Sequence, residues 1–280
     1  MCFAASGKIG LMSGSSGIVR SLAAGTQAKK WETPVGFAVR TASPSRRNSV
    51  IAVAGEHGQV RLIDAQTGDL VGAHGFGIGV LQSVVMNDDV SRIWVINEEG
   101  TLHGLDRVNG QRFAVQAAPP GFAPLALSID QQHVVCGGSD GKLSLIATEN
   151  GALLRHDDTK FQKIQALCWS PDGTRLAIAG DDLIVLWNPI THEVSATLRG
   201  HGGTVSDVSF SLDGSRLLSA SSDGTVRIWD VASARTLLVL DTRSGGLRSA
   251  RMTSDERELI TTGNDGRVIT WLALEPQSWD

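Results

Sequence analysis

The side chains best placed to do chemistry together fall between positions 201 and 229. His201, Ser219 and Asp223 supply an imidazole, a hydroxyl and a carboxylate, and Trp229 adds an indole N–H. The first three are the set that activates a serine nucleophile for acyl transfer. Ser219, however, stands inside an alternating apolar run and not on an exposed elbow, which argues against a nucleophile. Other patterns carry less. The paired acids Glu98-Glu99 lie at a turn, and Asp88-Asp89 and Asp157-Asp158 read as loops. None has the alternating acid spacing of a calcium loop, so solvated carboxylates are expected and no metal. The glycines of Gly75 to Gly79, GFGIG, precede a strand and lack the Lys-Ser/Thr ending of a phosphate cradle. Cys2, Cys136 and Cys168 are odd in number and show no CxxC spacing, which argues against a zinc site or a disulfide framework and for buried free thiols. No cofactor is expected. His57, His103 and His133 sit near turns, and Arg46-Arg47 with Arg243, Arg248, Arg251, Arg257 and Arg267 read as solvated surface.

Composition narrows the partners. A formal net charge of -4 gives no reason to expect nucleic acid or an anionic membrane. No apolar run approaches the ~18 residues of a membrane span, and the start, MCFAASGKIG, has no basic leader before an apolar core, so a cytoplasmic location is the default.

The elements that must hold these groups are strands. Between Leu198 and Leu240, apolar residues tend to alternate in four short runs: Thr204 to Phe210, Arg216 to Ala220, Thr225 to Trp229 and Thr236 to Leu240, each bounded by Gly, Asp or Ser. Four such strands cannot bury both faces of a sheet alone, so the unit requires neighbours. The turn SSDG ending at Gly224 recurs as SSSG at Gly17, EHG at Gly58, EEG at Gly100, SDG at Gly141, GDD at Asp182 and NDG at Gly266, with gaps of 41, 42, 41, 41, 42 and 42 residues. Second polar turns follow at Gly68, Gly110 and Gly151. A four-stranded unit repeated at this period predicts an all-β propeller, with residues 1–280 as one domain and no interval left for helices.

Here the residues also resemble a known family. Gly200-His201, SLDG at the first turn, SASSDGTVRIWD in the central hairpin and the closing Trp229-Asp230 are similar to the WD repeats of β-propellers; Ile164 to Asn188, with SPDG and Trp187-Asn188, follows. The likeness fades before Gly141, where only period and turn chemistry persist. It implies a seven-bladed ring with each blade's first strand along a central channel and its fourth at the rim. It also implies that His201, Ser219, Asp223 and Trp229 form a structural hydrogen-bond lock, complete in this blade alone. The last blade keeps Thr261, Asp265 and Trp271, the fifth keeps Asp181 and Trp187 with Ala177 at the hydroxyl position, and blades two to four carry Ile63, Leu105 and Ile146 in place of the Trp. The first blade is incomplete: on the turn alignment Phe3 falls opposite Phe210. Either Ala273 to Asp280 supplies an outer strand of the last blade, or the chain is the C-terminal part of something longer.

By the same resemblance, the residue before each turn's Asp-like position faces the channel mouth: Ser15, Glu56, Glu98, Ser139, Gly180, Ser222 and Asn264. Rigid frames that present variable loops serve recognition, so a monomeric, non-catalytic scaffold or sensor for a protein or peptide partner is the leading expectation. A regulatory propeller at the C-terminus of a larger signalling kinase or NTPase is the alternative. A propeller hydrolase or lactonase would need acids, bases or metal ligands on the inner strands, and FAVRT, VLQSVV, LALSI, QALCW, SDVSF and SARM offer almost none.

Overall fold

A computed structural model describes residues 5–6, 9–13, 16–23, 28–45, 47, 49–159, 161–243, 245–253 and 256–272, with 5–13 through their backbone alone. The alternating runs become seven antiparallel sheets among these residues, six of four strands and one of three, each hydrogen-bonded in chain order. The sixth shows the rule: Val205–Phe210, Arg216–Ser221, Thr225–Asp230 and Arg235–Asp241 pair consecutively, with Leu217 opposite Trp229. Its second strand is buried at every position after Arg216, whereas its fourth is mostly exposed. That gradient follows from geometry, because a central strand has neighbours on both edges and sheets packed on both faces.

The core is divided among the gaps between sheets. Val85, Trp94 and Leu102 of the third sheet share one apolar cluster with Val134, Cys136 and Ile146 of the fourth. Ala177, Ile184 and Leu186 of the fifth pack on Val208, Leu217 and Trp229 of the sixth. Burial at about 25 cal/mol per Å² of apolar surface thus rewards each blade only when the next is present. The chain is an all-β propeller of four-stranded blades. Where the family Trp is missing, Ile63, Leu105 and Ile146 are each buried and packing replaces the indole.

Two departures concern the ends of the ring. The innermost strand of the first blade is Ala5–Ser6, two residues paired with Ile9–Ser13. In the seventh, the described strands are Leu247–Met252, Glu258–Gly263 and Val268–Leu272. Phe3 and Ala273 to Asp280, on which the expectations about ring closure rest, lie outside the described residues.

The glycine ruler marks real hairpins, with one slip. In the fifth blade Gly180 pairs directly with Leu183, so the loop is Asp181-Asp182, and the left-handed residue is Asp181 at φ 42, not Asp182. Gly180 is therefore a buried strand residue and leaves the expected surface set. Asp157 and Asp158 are likewise the end of strand Leu153–Asp158, not a loop. At Gly141 glycine is required twice over: φ is +75, and a Cβ would stand 1.8 Å from the Phe161 carbonyl oxygen. Gly141→Ala should lower the unfolding free energy by about 2 kcal/mol, from strain and the forced shift of that loop, measurable as a reduced urea midpoint; the same change at Gly110, where nothing lies within 4 Å of a Cβ, should cost less.

Candidate functional site

Inner strands of six blades surround one open cavity of about 310 Å³. Its lining includes Arg40, Gln82, Pro124, Gln165, Ser206 and Arg248, one residue per blade, 41 or 42 positions apart. Four of these are β-bulges. The ladder steps from Val39 to Thr41, from Leu81 to Ser83, from Val205 to Asp207 and from Leu247 to Ser249, leaving Arg40, Gln82, Ser206 and Arg248 without a cross-strand partner. A bulge re-aims the extra residue, and here it turns one side chain per blade into the channel. The ring was missed in the sequence because the turns alone served as the ruler; the same period, laid on the inner strands, finds it.

The hairpin residues stand above this ring. Glu98, Ser222 and Asn264 are exposed, Glu56 is half-buried, and Ser139 is half-buried with its hydroxyl donating to Pro120 O at 3.1 Å. Two of them reach the ring: Glu56 Oε1 lies 3.7 Å from the Arg40 guanidinium, and Asn264 Oδ1 accepts from Arg248 Nε at 2.9 Å. Ser15 lies outside the described residues. Phe122 adds an aromatic ring to the cavity wall, exposed and with Lys163 Nζ 5.8 Å from its centre.

Arg251 is not solvated surface either. Its guanidinium pairs with the Asp207 carboxylate across blades six and seven, with side-chain exposures of 29% and 11%, and Asp207 also accepts from Ala250 N at 3.2 Å. Burial pushes the Asp207 carboxyl up, while Arg251 and the Ala250 N–H pull it back toward ionisation. Arg47 pairs with Asp88 at 3.2 Å; Arg46 and Cys2 are outside the described residues. Cys136 is fully buried, and burial raises its thiol to about 12, whereas Cys168 is only half-buried. Among the described residues there is no cluster of three or more metal-ligating groups, and no helix is long and apolar enough to cross a membrane.

In blade six the four polar side chains form one chain. Trp229 Nε1 donates to Ser219 Oγ at 2.8 Å, Ser219 Oγ meets His201 Nε2 at 2.7 Å, and His201 Nδ1 meets Asp223 Oδ2 at 2.9 Å. The carboxylate can only accept, so Nδ1 carries the proton; Nε2 then accepts from the serine hydroxyl, and every donor is used once. The connectivity is that of a nucleophilic triad, but Ser219 is 0% exposed, so no substrate carbonyl reaches it. The set is incomplete elsewhere. Trp271 is half-buried and donates to Thr261 Oγ1 at 3.2 Å; in blade five Asp181 accepts from Gln162 N at 3.1 Å, and Ala177 supplies no hydroxyl.

This chain makes blade six acid-sensitive. Burial lowers the pKa of His201 below its usual 6.5, outweighing the pull of Asp223. For Asp223, burial alone would raise the carboxyl, but donors from Thr225, Gly202 and His201 together bring it from 3.8 to about 2. Both shifts have one sign: the unfolded chain takes up each proton first. The contribution of these four side chains is full above pH 6.5, declines below it as unfolded His201 protonates, and declines again from about pH 4 to about pH 2 as the stabilisation from Asp223 is lost. In urea unfolding followed across this range, Asp223→Asn should flatten the lower limb relative to wild type.

Residues 152–188 and 192–230 match the family profile "WD domain, G-beta repeat". Seven consecutive sheets, six of them lining one cavity and two carrying most of that profile, make the chain a WD-repeat β-propeller. Among curated relatives it is 25% identical over 146 residues to a WD repeat-containing protein 91 homolog of Dictyostelium discoideum, covering 49% of this chain and 19% of that one. It is 26% identical over 197 residues to apoptotic protease-activating factor 1 of Rattus norvegicus, covering 68% and 16%. It is 30% identical over 152 residues to the target of rapamycin complex subunit wat1 of Schizosaccharomyces pombe, covering 52% and 48%. The chain thus spans less than a fifth of the first two relatives and about half of the third.

Proposed function

We propose that the chain is a single-domain, non-catalytic scaffold or sensor that takes a protein or peptide partner at the channel mouth. The observation that carries this reading is the ring of inward residues, four of them bulged, beneath the exposed hairpins bearing Glu56, Glu98, Ser139, Ser222 and Asn264. A rigid frame of blades holding adaptable polar side chains around an opening is suited to recognition. In this reading His201, Ser219, Asp223 and Trp229 serve as the lock that stiffens blade six, and the protein works as a cytoplasmic monomer. The test is capture of partners by the full chain: Glu56→Lys with Glu98→Lys should change which proteins are retained, and an unchanged set would remove the mouth as the docking face.

The small share of the Dictyostelium and rat relatives that the chain covers favours a second reading, a regulatory propeller within a larger signalling kinase or NTPase. An immunoblot of the native protein separates the two, since the second requires a mass well above 29.6 kDa.

A further inference from the structure

The charges lining the cavity run against those of the whole chain and of the hairpins above it, which carry Glu56 and Glu98. The whole protein carries a formal net charge of -4, yet among the ionised residues lining the cavity there are three guanidiniums, of Arg40, Arg248 and Arg251, against the single carboxylate of Asp207. Arg251 is held by Asp207 in the wall. The other two arginines are the bulged residues of blades two and seven, with Arg40 56% exposed and Arg248 also exposed. Arg248 donates to a neutral amide, so its charge is kept. Arg40 has Glu56 at 3.7 Å, an exposed pair that an incoming anion can replace. A concave site lined by one sign of charge focuses its field and raises the local concentration of the opposite ion. Of the remaining ring residues, Gln82 and Gln165 offer amides that both donate and accept, as a peptide main chain does, while the Ser206 hydroxyl is held by Leu247 O at 2.7 Å, and Phe122 offers an apolar ring beside them.

We propose that the channel mouth selects anionic peptide segments, with a carboxylate or phosphate side chain engaged by Arg40 and Arg248 and an apolar neighbour over Phe122. This rests on the mouth being the docking face. Glu56 then acts as a local competitor for Arg40 and sets a threshold on affinity.

The full chain is immobilised and offered short degenerate peptide libraries fixed at their centre as Glu, phosphoserine, Ser or Lys. The Glu or phosphoserine library should be retained at least about tenfold better than the Ser library; which of the two is preferred separates a carboxylate from a phosphate ligand. Arg40→Gln with Arg248→Gln should bring retention to the Ser level with an unchanged thermal midpoint, since both side chains are exposed. Glu56→Gln should raise retention, a gain that misfolding cannot mimic. Equal retention of Ser or Lys peptides, or acidic retention that survives the double arginine change, overturns the proposal. So does competition by inorganic phosphate at the same concentration as phosphopeptide, which would assign the site to a free anion. If uncharged peptides bind and are lost on Glu56→Lys with Glu98→Lys, the docking face stands and its anion preference falls. If binding ignores every substitution at the mouth, both fall.

Discussion

Trp229→Ala is expected to lower the unfolding free energy by about 3–5 kcal/mol. The indole is 1% exposed, fills the gap between blades five and six with Ala177, Leu186 and Leu217, and has the Arg227 guanidinium 5.7 Å from its ring. Truncation opens a cavity in that cluster and removes the donor to Ser219. Trp229→Phe separates the two effects: it keeps most of the packing and leaves the serine oxygen short of one donor, so about 1–2 kcal/mol should go. Urea unfolding followed by far-UV circular dichroism measures both. Trp271→Ala gives the contrast, because that ring is half-buried; an equal loss there would mean that burial and the polar chain of blade six are not what makes Trp229 costly to remove.

Asp207→Ala should cost about 3 kcal/mol, the low end for breaking a buried ion pair because Arg251 keeps 29% of its side chain exposed. The loss comes from stranding the guanidinium in the channel wall and freeing the Ala250 N–H, more than from the attraction itself. Replacing both partners, Asp207→Leu with Arg251→Met, should therefore recover most of it. A double variant no more stable than the single one would show that the pair contributes net attraction between blades six and seven.

How legible the molecule was depended on what repeats. The hairpin turns advertise themselves because Gly at positive φ is a local requirement, so Gly58, Gly100, Gly141, Gly224 and Gly266 could be placed before any fold was known. Asp181 was misplaced by one because a shorter loop moves the left-handed residue without leaving a glycine behind. The partners of His201 were readable from residue type, since a buried imidazole, hydroxyl, carboxylate and indole have few ways to satisfy one another. Arg251 was not: its partner Asp207 lies in the preceding blade, and strand alternation cannot reveal a pairing across two sheets. The inward direction of Arg40 and Arg248 was hidden for a related reason, because a bulge breaks the period-two pattern from which direction is read.

That break has a consequence for how such a mouth can change over time. Because Arg40, Gln82 and Arg248 take no place in the ladder register, each can be exchanged for a side chain of different size or sign while the strand beneath keeps its neighbours. Specificity and folding are thereby written at separate addresses, and a descendant or an engineer could retune what the opening accepts one blade at a time.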